Sequence, residues 1–142
     1  MSKTEPFASF AKVLEKHKGV PEGRTVLSVR KELTERYFWL FQGIENYDAA
    51  LKHQDNTLEL KVATFNANRE NNLGTLTIKL KTGGAAQQYI LDLRYDKIRV
   101  VQGQHLMSGN SRQGTYAADD DDVFLIALGN QILSDLGVIN HI

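Results

Sequence analysis

TLELKVATF (57–65), TLTIKLKT (75–82), YILDLRY (89–95) and KIRVV (97–101) are the four stretches that decide the fold. In the first, Leu58, Leu60 and Val62 alternate with Glu59, Lys61 and Ala63. In the second, Leu76, Ile78 and Leu80 alternate with Thr77, Lys79 and Lys81. Tyr89, Leu91 and Leu93 alternate with Asp92 and Arg94 in the third, and Ile98 and Val100 flank Arg99 in the fourth. A pleated strand sends successive side chains to opposite faces, so a period of two predicts strands with one apolar and one polar face. The connections leave no room for helical crossovers, which predicts an antiparallel meander rather than a parallel sheet. Thr82-Gly83-Gly84-Ala85 reads as a turn, as does Tyr95-Asp96-Lys97, and the polar stretch 66–74 reads as a longer loop tip.

Outward from the strands, the period changes. Residues 5–18 read as a helix: Thr4 suits an N-cap, Phe7, Phe10, Ala11 and Leu14 share a face, and Gly19 and Pro21 stop it. Val26, Val29, Leu33, Tyr37, Leu40 and Ile44 recur at steps of three and four, which predicts a helix over 25–42. The run Tyr37-Phe38-Trp39-Leu40-Phe41 has strong β-propensity, so the competing reading is a helix ending near Arg36 and a buried strand over 37–42. Gly43 is expected to punctuate this segment, with 44–53 a short helix or an irregular connection. Residues 120–136 read as the last helix, capped by Asp119 or Asp120 and ended by Gly137. The Gly-, Ser- and Asn-bearing stretch 103–118 reads as a long irregular loop, mobile and liable to order on binding.

The expected fold is a single α+β domain spanning 1–142. Two N-terminal helical segments and one C-terminal helix pack on one face of a four- or five-stranded antiparallel sheet. A chain of 142 residues can bury a core without staples, and with no cysteine it has no disulfide framework, thiolate metal site or thiol nucleophile. No apolar run approaches the ~20 residues of a membrane span, and residues 1–19 lack the apolar stretch of a secretory signal. The expected location is cytoplasmic, away from the membrane.

No motif announces a chemistry. Four consecutive aspartates, 119–122, point about 100° apart on a helix and cannot converge on one ion, so they read as a helix start. His17, His53, His105 and His141 form no ligand spacing, and no strand–turn–helix elbow presents a nucleophilic serine beside His105. Gly83-Gly84 lies between antiparallel strands, not before a helix where a phosphate would sit. No catalytic residue, metal ligand or cofactor is assigned.

What remains is charge. Seventeen basic residues balance seventeen acidic ones, yet the polar strand face carries five basic residues, Lys61, Lys79, Lys81, Arg94 and Arg99, against Glu59 and Asp92. The expectation is a non-enzymatic interaction protein, an adaptor or inhibitor. It would bind a protein with an acidic surface through these five residues, or through the 103–118 loop with His105, Arg112 and Tyr116. Nucleic acid is disfavoured because the face lacks outward aromatics, Phe65 at a strand end being the one candidate. The alternative is a small-molecule binding protein or an enzyme, with a pocket between the aromatic 37–41 segment and the sheet.

Overall fold

The computed structural model describes residues 25–68, 73–108 and 113–138. The helix expected over 5–18, His17, Arg112, His141 and the tip of the 66–74 connection lie outside these residues. The described chain is α+β. Helix α1 (Val26–Arg36) and helix α2 (Phe38–Gln54) precede strands β1 (Glu59–Asn68), β2 (Leu73–Thr82), β3 (Ala85–Leu93) and β4 (Lys97–Gln102). A short helix α3 (Gln104–Ser108), strand β5 (Thr115–Ala117) and helix α4 (Asp121–Asp135) follow. All five strands pair antiparallel in sequential order.

Local chemistry sets the helix ends. The Thr25 hydroxyl accepts the Ser28 N–H at 3.1 Å while the Ser28 hydroxyl accepts the Thr25 N–H at 2.9 Å. This reciprocal box satisfies two donors at the start of α1. At the far end of the chain, Gly137 (φ +79°) donates to the Ser134 carbonyl, and Val138 donates to that of Leu133. That pair of bonds ends α4 in a Schellman turn, with glycine where φ must be positive.

The stripe from Val26 to Ile44 is helical throughout, so the strand reading of 37–42 falls, but it is two helices and not one. The backbone breaks at Tyr37 (φ −108°, ψ 26°), whose fully buried side chain donates its hydroxyl to the Arg94 carbonyl in the β3–β4 turn. The aromatic run stays helical because its rings find partners on several sides. Trp39 packs edge-on against Phe124 at 5.9 Å and donates Nε1–H to the Ala118 carbonyl at 3.1 Å, and Phe41 packs on Phe65 at 5.5 Å. Nor does Gly43 punctuate. It lies inside α2, where an added Cβ would stand 2.5 Å from Leu125 Cδ2, so the absent side chain makes room for Leu125 of α4. Residues 44–53 complete α2.

The sheet face turned toward the helices carries Leu60, Leu76, Ile78, Leu80, Tyr89, Leu91, Leu93, Ile98 and Val100, all buried. They join Val29, Leu33, Leu40, Phe124, Leu128 and Ile132 in one core. One residue breaks the simple alternation. The β1–β2 register steps between Val62 and Thr64, leaving Ala63 as the extra residue of a bulge. Without it Phe65 would face outward; with it Phe65 turns into the core and is 7% exposed.

The described parts of the 103–118 stretch carry regular structure where an irregular loop was expected. Leu106 and Tyr116 are buried, and buried Gln131 on α4 accepts the Leu106 N–H at 2.9 Å while donating to Asp135 at 3.0 Å. The Tyr116 hydroxyl donates to the Leu106 carbonyl. These bonds fasten α3 to α4 and bring the chain back as β5 beside β4. The acidic start of α4 also differs from expectation. Asp120 occupies the N-cap position, but its side chain makes no capping bond.

Candidate interaction surface

The described helices cover one face of the sheet, and no described helix lies on the other. Outward positions on it include Lys61 and Thr64 on β1, and Thr75, Thr77, Lys79 and Lys81 on β2. Gln88, Ile90 and Asp92 follow on β3 and Arg99 on β4. Cross-strand register fixes which of the basic residues meet. Lys81 stands opposite Glu59, and Lys61 opposite Lys79. Glu59 is approached at 3.9 Å by the ammonium groups of Lys61, Lys81 and Lys52. Contacts of that length between exposed groups are loose and contribute little to stability. Among the described residues Lys79 has no ion-pair partner.

Lys52 was not legible as part of this cluster. It belongs to the last turn of α2 and reaches Glu59 because β1 is the sheet edge under that helix. Its own i−4 neighbour, Asp48, holds it at 3.0 Å, and that hydrogen bond raises the ammonium's pKa. The Asp48-to-Lys52 spacing was the available signal. The same carboxylate accepts the Leu60 N–H at 2.9 Å through its other oxygen.

The other expected residues do not join the lysines. Arg99 stands opposite Asp92, which takes a 3.4 Å bond from the Thr75 hydroxyl. Thr75 is four residues along β2 from Lys79, about 13 Å at ~3.3 Å per residue. That exceeds the ~10 Å screening length at 0.1 M salt, so the expected single basic face is two electrostatically separate patches. Arg94 sits in the β3–β4 turn, its backbone N–H bonded to the Lys97 carbonyl at 2.9 Å, and its Nε is buried with no hydrogen-bond partner among the described residues. Tyr116 is core, and burial raises its phenol pKa. His105 is half-buried on α3, where its carbonyl accepts the Ser108 hydroxyl at 3.3 Å. Phe65 points inward, which removes the one aromatic that could have served base stacking.

The sheet edges are blunted. On β1 the Leu60 N–H is taken by Asp48 and the Phe65 carbonyl by Arg30, two groups that an added strand would need. The opposite edge, β5, is three residues long. Where a ligand pocket was expected, Tyr37 and Leu40 are fully buried in the core, while Phe38 of the same run is 63% exposed. A cleft of about 390 Å³ lies elsewhere, between the C-terminal halves of α2 and α4, lined mainly by Leu51, Leu58, Leu133 and Leu136.

Among the described residues no three His, Asp or Glu side chains are grouped to hold a metal ion, and no helix is long and apolar enough to cross a membrane. No family model matches the chain, and neither curated proteins nor solved structures show a match to it.

Proposed function

We propose that the chain is a non-enzymatic interaction protein, an adaptor or inhibitor, that receives an acidic surface of a partner protein on the sheet face opposite its described helices. The observation that carries this reading is the lysine cluster at one end of that face. Among the described residues Glu59 and Asp48 pair with Lys52, Lys61 and Lys81, and Lys79 beside them has no ion-pair partner. Blunted edges support the face over strand addition as the mode of contact. The test is the double reversal Lys79→Glu/Lys81→Glu. Lys81 is exposed and Lys79 half-buried, both outside the core, and surface substitutions change stability by about 0.5 kcal/mol or less, so the fold should persist. Association with a partner recovered by affinity capture should slow, most strongly at low salt. An unchanged association rate at low salt would remove the face from the interaction.

A second reading, a small-molecule binder or an enzyme, draws its support from the apolar cleft between α2 and α4. Leu133→Trp would fill that cleft. Loss of a co-purifying small molecule, with partner capture intact, would favour this second reading.

A further inference from the structure

We infer that the Lys61–Lys79–Lys81 cluster is a recognition site for a phosphorylated side chain on a partner peptide. The inference rests on the proposed function above and narrows the acidic partner to one chemistry.

Three observations carry it. First, Lys61 and Lys79 are direct cross-strand partners, with like charges face to face. Such a pair is unfavourable by itself, its Cβ atoms being only about 4.5–5.5 Å apart. A breach of a local rule that nothing in the fold requires is characteristic of a functional surface. Secondly, the fold's own acid does not neutralise the cluster. Among the described residues Asp48 offsets Lys52, and Glu59 alone faces Lys61, Lys79 and Lys81, which leaves two positive charges. A phosphoryl group at neutral pH carries about −1.5 to −2, which matches that residue of charge, whereas one carboxylate matches half of it. Thirdly, the spacing suits one compact anion. Lys61 and Lys79 bases are about 5 Å apart, and Lys79 and Lys81 about 7 Å apart along β2 on the same side. Three flexible ammonium groups can therefore converge on the three terminal oxygens of one phosphoryl group.

Glu59 then has a defined role. It holds Lys61 and Lys81 loosely, at 3.9 Å, in the position where a stronger anion would take them. An incoming phosphoryl group competes with Glu59 for these lysines, so Glu59 weakens binding by unphosphorylated acidic segments and sets a threshold. Among the described residues Lys79 has no ion pair to give up, and it is the first contact. The same charge could meet a membrane or a nucleic acid, but the lysine end of the face offers neither large apolar side chains for insertion nor aromatics for base stacking, since the Ala63 bulge turns Phe65 inward.

The test uses the full chain and a short labelled peptide of glycine and serine with one central phosphoserine, beside its serine and glutamate counterparts. Anisotropy gives affinity, and amide chemical shifts locate the contact. The phosphopeptide should bind, moving the amide signals of Lys61, Lys79 and Lys81, and should bind more tightly than either counterpart. Lys79→Ala should weaken it by about threefold to fivefold, the upper range for one exposed charge contact, with an unchanged melting temperature. Glu59→Gln should tighten it, which a merely structural Glu59 would not do. Equal binding of glutamate and phosphoserine peptides, both weakened by Lys79→Ala, would overturn the phosphoryl assignment and leave the acidic-partner reading standing. No binding of any peptide would overturn it too, and partner capture by the Lys79→Glu/Lys81→Glu variant would then decide the broader reading separately. Lys79-dependent binding to phosphatidic acid vesicles or to duplex DNA, with no phosphopeptide bound, would overturn both.

Discussion

Replacing Gly74 by alanine tests the feature on which the sheet's register turns. Gly74 lies on β2 opposite Ala67, facing the core. A Cβ built there would stand 2.6 Å from Phe65 Cε1, 2.8 Å from Leu33 Cδ1 and 3.1 Å from Phe65 Cζ. Comfortable carbon contacts are about 3.5–4.0 Å, so either neighbour must move by about 1 Å. Neither is free to do so. Leu33 is 2% exposed, and the Phe65 ring is wedged between Phe41 at 5.5 Å and the Arg30 guanidinium at 4.9 Å. Overpacking of a tight core costs about 1–3 kcal/mol, while exchanging a strand glycine for alanine returns about 0.5–1 kcal/mol of backbone entropy. The expected net loss lies in the range of about 0–2.5 kcal/mol, read as a lower urea midpoint at unchanged slope. The variant Phe65→Leu should relieve the clash, so that Gly74→Ala costs less in that background, with a coupling of at least ~0.5 kcal/mol. If Gly74→Ala proves stabilising alone and shows no coupling to Phe65→Leu, Phe65 does not lie over Gly74. The bulge at Ala63 would then be wrong, and Phe65 would return to the outer face.

Three further outcomes follow from the same packing. Thr25→Ala should cost about 0.5–2 kcal/mol through loss of the box at α1, while Asp120→Ala should be near neutral because its side chain caps nothing; thermal melts of the two single variants compare them directly. Gln131→Leu strips the buried Leu106 N–H of its partner and should cost about 1–3 kcal/mol, with faster amide exchange at α3. Burial raises the phenol pKa of Tyr37, Tyr47, Tyr89 and Tyr116, and the Asp135 carboxylate raises that of Tyr89 further. A raised folded-state value means stability is full below the ordinary value of 10.0 and is lost as pH climbs above it. Absorbance at an alkaline wavelength should therefore show these four phenols ionising together with unfolding, and a separate early titration of any of them would contradict their burial.

What the sequence determined by itself is what depends on near neighbours along the chain. Alternation in four stretches gave the strands and their dry face, because pleating imposes a period of two whatever lies beyond. Gly137 marked a helix end because a cap satisfies orphan backbone groups within a few residues of itself. Four decisions belonged to the tertiary structure. The Ala63 bulge depends on Gly74 and Ala67 leaving room for Phe65, a fit that no single strand records. Tyr37 breaks the helix because its hydroxyl is held by the Arg94 carbonyl, 57 positions away. Residues 104–108 and 115–117 take regular structure because Gln131, from a helix later in the chain, satisfies the Leu106 backbone. The basic face divided for the same kind of reason. Alternation assigns a residue to a face, but only cross-strand register assigns it a neighbour, and register put Lys61 beside Lys79 and left Arg99 with Asp92 about 13 Å away.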